Sequence, residues 1–151
     1  MVTTGVLARI PERIEALIYL DAFMPEDGKA LVDYLPPEMV SAWESLKDKD
    51  LPLPPMPLSA LGVTDPQLVA FIAARLAMQP WRTVFQPVKA LKPRPDIPVS
   101  MIVCTGFGPS PFTARLAEME ADPAVRLTTI DASHLCMLTD VDTTMAALLG
   151  N

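Results

Sequence analysis

Three short, nearly continuous apolar runs divide the chain, and each has the length of a buried β-strand. They cover residues 14–20, 99–104 and 125–130. A strand that is apolar along its whole length is typical of a parallel sheet with helices on both faces, because neither face then meets water. The pattern therefore predicts an α/β protein with three parallel strands.

Segments with the apolar spacing of helices lie around these strands. The predicted helices cover residues 1–9, 36–49, 66–76, 111–120 and 140–149. Asp65 is predicted to cap the third helix, because its carboxylate can accept a hydrogen bond from a backbone N–H of the first turn. Since strands and helices alternate, we expect the strands to be parallel neighbours in chain order, with 99–104 in the centre.

The segment between the first two strands is too long for an ordinary crossover connection. We expect residues 36–82 to form a helical lid, and residues 1–35 and 83–151 to form the core. The proline-rich stretch 51–57 cannot be helical and is predicted to be an extended connector. Five apolar side chains of the lid would suit a pocket for an acyl or aryl group, although such spacing also fits ordinary core packing. These are Met39, Trp43, Phe71, Met78 and Trp81.

Composition narrows the function classes. Half of the 151 residues are hydrophobic, which is enough for a core, and the length fits one domain or part of one. A formal net charge of −6 argues against binding nucleic acid or an anionic membrane by charge. Cys104 and Cys136 make no disulfide framework, so a reducing, cytoplasmic location is expected. The chain contains no run of about 18 apolar residues, so a membrane-spanning helix is not expected. Charged residues interrupt the apolar stretch near the N-terminus, which is not typical of a signal peptide.

His134 is the only histidine, and it lies between the third strand and the last helix. A neutral imidazole can take a proton from a hydroxyl and return it to a leaving group, whereas the simplest alternative is a surface-loop histidine. No Gly-x-Ser-x-Gly occurs in the chain, so no nucleophile elbow is recognisable. One histidine and scattered cysteines make a metal site unexpected, and Gly106 and Gly108 lack the Gly-Lys-Ser/Thr of a phosphate loop, so no cofactor is expected.

Several segments, in order along essentially the whole chain, resemble α/β-hydrolases of the plant methylesterase and hydroxynitrile lyase type and their bacterial esterase-like relatives. The segments that carry the resemblance are residues 8–14, 19–28 and 61–66, Gln79-Pro80, Gln86-Pro87, residues 102–105, Ser133-His134 and Met137-Leu138. The resemblance implies a partial α/β-hydrolase fold that corresponds to the C-terminal portion of such an enzyme. In that family the nucleophile elbow lies just ahead of the helix that residues 1–9 match.

The resemblance also implies a function. His134 matches the family's catalytic base, and the parent activity would be hydrolysis of a small-molecule carboxylic ester, although the family also contains C–C lyases. The serine and the oxyanion donors would be missing, so we expect the chain alone to be inactive. The alternatives are a non-enzymatic remnant or interaction module, and one half of a split enzyme. In either case the strand at 14–20 would have an open apolar edge, through which we expect self-association.

The catalytic acid is less directly indicated. In the plant relatives it follows the penultimate strand just after Cys-Thr, but here Cys104-Thr105 continues without a carboxylate. Asp21 ends the preceding strand, another position from which α/β-hydrolases supply the acid, and it would orient the imidazole. Asp131 is a weaker candidate, and Asp21 could instead be a loop aspartate that bonds backbone amides. Cys136 near His134 would be a nucleophile only with a lowered pKa, so a buried structural thiol is expected.

Overall fold

The computed structural model describes residues 1–92 and 94–150. Pro93 and Asn151, which the predicted core range 83–151 includes, lie outside the described residues. The chain divides into two compact units. The first, called the helical unit, contains Met1–Ile14, Phe23–Pro55 and Leu76–Asp96. The second, called the sheet unit, contains Glu15–Ala22, Met56–Arg75 and Ile97–Asn151. The predicted division into core and lid stays a prediction.

The helical unit is built from short helices and loops. Its helices are α1 (Val2–Leu7), α2 (Pro37–Lys47) and α4 (Arg82–Phe85), and its 3₁₀ turns are Pro11–Arg13 and Leu31–Tyr34. Proline is tolerated at the first position of α2, because an N–H at this position would have no acceptor within the helix. As predicted, the stretch 51–57 is not helical, and the buried Leu53 pairs its backbone with Gln79 in an antiparallel bridge.

The sheet unit contains the three parallel strands, and their predicted order is confirmed. The strands are β1 (Leu17–Leu20), β2 (Val99–Cys104) and β3 (Arg126–Ile130), with β2 in the centre. Around them lie α3 (Pro66–Ala73), α5 (Leu116–Glu120), α6 (Cys136–Thr139) and α7 (Val141–Leu149), with 3₁₀ turns at Leu58–Leu61 and Thr113–Arg115. Because all three strands run in the same direction, their C-terminal ends lie on one rim of the sheet.

Part of the core of the sheet unit lies at this rim. Every residue of β2 is buried, as its continuous apolar run predicts. One cluster joins the ends of β2 and β3 to the segment that carries His134 and to α7. Its buried members are Ile102, Cys104, Ile130, Ala132 and Cys136, and Leu20, Phe107, Ala147 and Leu148 pack against them. The cluster therefore fixes the base of the loop in which His134 lies.

The first strand differs from its prediction in two ways. It begins at Leu17, not at residue 14, because Ile14 closes the turn Pro11–Arg13 and donates its N–H to the Pro11 carbonyl. It is also not covered along both faces, since its burial alternates and Ile18 is 41% exposed. The third strand begins at Arg126, one residue later than predicted.

Four helices are shorter than predicted by three residues or more. The first ends at Leu7 and the second at Lys47, because the apolar spacing extends past the last helical hydrogen bonds. The segment 111–120 contains a 3₁₀ turn followed by α5, since Ser110 and Thr113 bond to each other and form a separate turn. The Asp65 cap is confirmed, with Oδ1 accepting the Leu68 N–H at 2.8 Å, but α3 ends at Ala73. No helix among the described residues is long and apolar enough to span a bilayer.

Candidate active site

Asp21 follows β1 directly and has an unusual backbone conformation. Its φ of 41° lies in the left-handed region, which aspartate tolerates better than most residues with a Cβ. Its N–H still donates to the Ile102 carbonyl at 2.7 Å and so continues the pairing of β1 with β2. The chain therefore leaves the sheet just after this bond, while the side chain stays at the end of the two strands.

The Asp21 carboxylate takes the place of a backbone carbonyl in the sheet. In a regular parallel pair, the Cys104 N–H would donate to the carbonyl of the residue at position 21. Here it donates to Asp21 Oδ1 at 3.0 Å. This bond orients the carboxylate, which has no exposed side-chain surface. The other oxygen, Oδ2, is left to bond a second partner.

That second partner is His134. Its Nδ1 lies 2.6 Å from Asp21 Oδ2, so the predicted contact between these two residues is present. The histidine side chain keeps 29% of its surface exposed. A neutral imidazole that donates from Nδ1 to a carboxylate has an unprotonated Nε2, which can accept a proton. The arrangement fits an acid that orients a general base, although the catalytic roles of both residues stay predictions.

The loop that carries His134 is held at both ends. The His134 N–H donates to the Leu61 carbonyl at 3.0 Å. Ser133 Oγ accepts the Leu135 N–H at 3.1 Å and lies 2.7 Å from Thr139 Oγ1, which donates to Asp140 Oδ2 at 2.6 Å. Because the Thr139 proton is given to Asp140, the Ser133 hydroxyl donates to Thr139. These bonds fix the main chain on each side of the imidazole.

Two glycines allow the surrounding segments to approach this loop. A Cβ at Gly62 would lie 2.5 Å from the Phe107 Cβ, and the residue has a φ of 77°. A Cβ at Gly106 would lie 2.7 Å from Asp131 Oδ1 and 2.8 Å from the Ala132 nitrogen. Position 106 follows Cys104-Thr105 directly, and its close contacts leave no room for a side chain at this point of the loop.

The alternative acid does not contact the base. Asp131 is exposed, and its Oδ1 lies over Gly106. Of the carboxylates in the described part of the chain, Asp21 is the one that hydrogen-bonds to His134. The geometry thus favours Asp21 over Asp131 as the partner of the imidazole.

Two aromatic rings beside the imidazole were not found from the sequence. The Phe112 ring is stacked on that of His134, with centroids 5.4 Å apart and 4° between the planes. The Phe107 ring lies 6.0 Å away at 53°. The signal that could have found them is their position in the loop after β2, because this loop must lie on the same rim as His134.

The two thiols are poor candidates for a nucleophile. Both Cys104 and Cys136 are completely buried. Burial raises the pKa of the Cys104 thiol, and the Asp21 carboxylate and Cys136 raise it further. The thiolate of Cys104 is therefore disfavoured, and the full burial of Cys136 fits the expected structural role. Among the described residues, no three histidine, cysteine or acidic side chains come together as metal ligands.

The five predicted pocket residues are divided between the two units. Met39, Trp43, Met78 and Trp81 belong to the helical unit, and Phe71 belongs to the sheet unit. Met78 and Phe71 are exposed, and the guanidinium of Arg75 lies over the Phe71 ring. The Trp81 indole N–H donates to Asp50 Oδ1 at 2.8 Å. Their role as a substrate pocket stays a prediction.

Comparisons with known proteins give a similar sequence and a similar structure; no family model matches the chain. A carbendazim hydrolyzing esterase from Nocardioides sp. (strain SG-4G) is 53% identical over 45 residues, which are 28% of this chain and 19% of that protein. An extracellular alpha/beta-hydrolase from a Paenibacillus species shares structural and functional homology with tobacco salicylic acid binding protein 2. It matches 98% of this chain with a TM-score of 0.76 and 19% identity. This chain spans 65% of that solved chain, so the match establishes the fold over that portion.

Proposed function

Because the chain has the fold of an α/β-hydrolase over most of its length, we propose that it is the C-terminal portion of a carboxylic-ester hydrolase. His134 is the general base and Asp21 is the acid that orients it. The observation that carries this proposal is the 2.6 Å contact between Nδ1 of His134 and the fully buried carboxylate of Asp21. The contact lies at the rim formed by the C-terminal ends of the three parallel strands, where open α/β sheets place their ligands.

The proposed chemistry follows from this contact. Asp21 accepts a hydrogen bond from Nδ1–H without taking the proton, and its negative charge stabilises the imidazolium that forms during the reaction. Nε2 of His134 takes the proton of an attacking serine and then gives it to the leaving alcohol. The proposal assigns the serine and the oxyanion donors to a segment outside these 151 residues, since no Gly-x-Ser-x-Gly occurs within them. Without those groups most of the rate enhancement of such enzymes is lost.

Ester hydrolysis is preferred over C–C cleavage because of the sequence match to an esterase. Residues 36–82 serve as the lid in this proposal. No cofactor is required for this reaction. The cytoplasmic location stays a prediction, since the similar Paenibacillus protein is extracellular.

The first test is the activity of the chain itself. We expect the purified protein to hydrolyse short-chain aryl esters no faster than the His134→Ala variant, and a fluorophosphonate probe to label no residue. Turnover that resists the probe but disappears in His134→Ala would contradict the assignment and would favour Cys136 as nucleophile.

The second test uses the coding sequence upstream of Met1. If it continues in frame with a Gly-x-Ser-x-Gly, the extended protein should hydrolyse the same esters and should lose this activity in His134→Ala and in Asp21→Asn. Retained activity in both variants would refute the assigned roles. The matched control is Asp131→Asn, which changes an exposed carboxylate in the same loop and should keep the activity.

A non-enzymatic interaction module is the second candidate, and the exposed apolar surface of the sheet unit favours it. Ile18 on the edge strand is exposed, and Val141, Met145 and Leu149 form an exposed stripe on α7. Such surfaces are typical of sites that bind another chain. In this proposal the chain self-associates through β1, and light scattering should give a mass above 16.4 kDa that Ile18→Lys lowers. A monodisperse monomer at high concentration would contradict it.

A further inference from the structure

The loop between β2 and α5 contacts the imidazole although it provides no acid. After Cys104 it passes Gly106, which lies against Ala132 at the base of the histidine loop, and then reaches Phe112. The Phe112 ring lies nearly parallel to the imidazole, with 4° between the planes and 5.4 Å between the centroids. Parallel rings at this separation are offset, which is a favourable arrangement for two aromatic systems.

The backbone on either side of Phe112 is fixed by side chains. Ser110 Oγ accepts the Thr113 N–H at 3.1 Å, and Thr113 Oγ1 accepts the Ser110 N–H at 2.8 Å. Such reciprocal hydrogen bonds between side chain and backbone are local, so they stabilise a turn through residues of the turn itself. The turn explains why a 3₁₀ segment precedes α5, and it limits the positions that the Phe112 ring can reach. The ring is therefore held against His134 by its own turn.

On the basis of the proposed function, we propose that Phe112 is a positioning residue for His134. The 2.6 Å bond to Asp21 holds one edge of the imidazole. It does not by itself prevent the ring from turning about its bond to Cβ, because terminal torsions of this kind are broad. A parallel ring stacked on the imidazole blocks that rotation on one face. Phe112 acts in this way through His134, and it keeps Nδ1 directed at Asp21.

The other aromatic neighbour of the imidazole restricts it less than Phe112 does. Phe107 is tilted by 53°, so it contacts the imidazole without lying flat on it. The histidine side chain also keeps 29% of its surface exposed. Removal of the Phe112 ring would therefore leave space into which the imidazole can turn. We expect the hydrogen bond to Asp21 to open more often in such a variant.

The test measures the lifetime of the Nδ1 proton of His134 by NMR. Because His134 is the only histidine, an untagged chain labelled with ¹⁵N-histidine gives one ring spin system. In Phe112→Leu we expect exchange of this proton with water to be about threefold to tenfold faster, which corresponds to the usual contribution of an aromatic pair. Phe112→Tyr retains a stacked ring and should restore the native rate.

The matched control is Phe23→Leu, which removes another stacked aromatic pair, that with Tyr34 in the helical unit. It should leave the exchange rate of the His134 proton unchanged. If Phe112→Leu does not fold, Phe112→Met provides the same test with a flexible side chain of similar size. Exchange at the native rate in a folded Phe112→Leu or Phe112→Met would overturn the inference.

The same spectra separate this inference from the proposed function. Asp21→Asn should remove the Nδ1 proton signal altogether, whether or not Phe112 has a role. If Asp21→Asn changes the spectrum and the Phe112 variants do not, only the positioning role is wrong. If Asp21→Asn leaves the spectrum unchanged, the acid–base pair itself is wrong.

Discussion

Replacing Asp21 by asparagine removes the acceptor for the imidazole and little else. Asparagine has nearly the same volume and also tolerates the φ of 41°. Its amide oxygen can still accept the Cys104 N–H, which now donates to Oδ1 at 3.0 Å. The contact that changes is the one between Oδ2 and His134 Nδ1, because the asparagine NH₂ is a donor and cannot accept a hydrogen bond from Nδ1–H. The charge-assisted bond is therefore lost, and only a neutral bond to an unprotonated Nδ1 can replace it.

The size of the effect follows from the burial of the acceptor. Hydrogen bonds to charged groups contribute about 1.5–3 kcal/mol, and the Asp21 side chain has no exposed surface. We therefore expect Asp21→Asn to lower the free energy of unfolding of the sheet unit by about 1.5–3 kcal/mol. Asp21→Ala should lower it by about 1–3 kcal/mol more, because the Cys104 N–H then has no acceptor.

The assay must observe the sheet unit. Trp43 and Trp81 both belong to the helical unit, so tryptophan fluorescence does not report on Asp21 directly. Urea unfolding should instead be followed by the ring C–H signal of His134. The control is Asp131→Asn, whose carboxylate is exposed and whose loss should change the free energy of unfolding by less than about 0.5 kcal/mol.

Equal losses in Asp21→Asn and Asp131→Asn would refute the reasoning. That result would mean that the buried contact with His134 adds nothing beyond what an exposed carboxylate in the same loop adds. A larger loss in Asp21→Asn than in Asp21→Ala would also contradict it. The order of the two variants at position 21 rests on the bond between Oδ1 and the Cys104 N–H.

Three further predictions concern the surroundings of the site. Gly106→Ala should weaken the Asp21–His134 contact, because the added Cβ would clash with the histidine loop, and the Nδ1 proton should then exchange faster with water. The control is Gly108→Ala: the φ of 92° makes the substitution unfavourable, but the added Cβ would contact nothing, so only stability should change. Since the pKa of Cys104 is raised above its ordinary value of 9.0, its thiolate forms only on unfolding, so stability should fall as pH rises above 9.0 and Cys104→Ser should reduce this slope in alkaline melts. Asp65→Ala should cost about 1 kcal/mol in urea unfolding through loss of the α3 cap.

The parallel sheet could be predicted because its central strand is buried and therefore consists almost entirely of apolar residues, which are recognisable in the sequence. The strand β2 is apolar except for Ser100 and is followed by a glycine-containing loop, so the sequence predicts its bounds to the residue. The start of β1 was not predictable, since Ile14 is apolar like the strand but belongs to a turn made by Pro11. Apolar content alone does not distinguish these two environments.

The partners of His134 were predictable to different degrees. Asp21 and His134 each follow a strand, and parallel strands bring such positions to one rim, so their contact could be expected from sequence order. The roles of Gly106 and Phe112 depend on how closely two loops approach each other. No local pattern encodes that distance, because it is set by packing at the ends of β2 and β3.

The ring ¹⁵N spectrum of His134 tests the central claim most directly. The claim is that Asp21 holds the imidazole in one tautomer, with the proton on Nδ1 and with Nε2 free to accept a proton. At mildly alkaline pH, the untagged native chain should show a protonated Nδ1 and an unprotonated Nε2, and Asp21→Asn should reverse the two. A native spectrum with the proton on Nε2, or the same spectrum in Asp21→Asn, would contradict the claim.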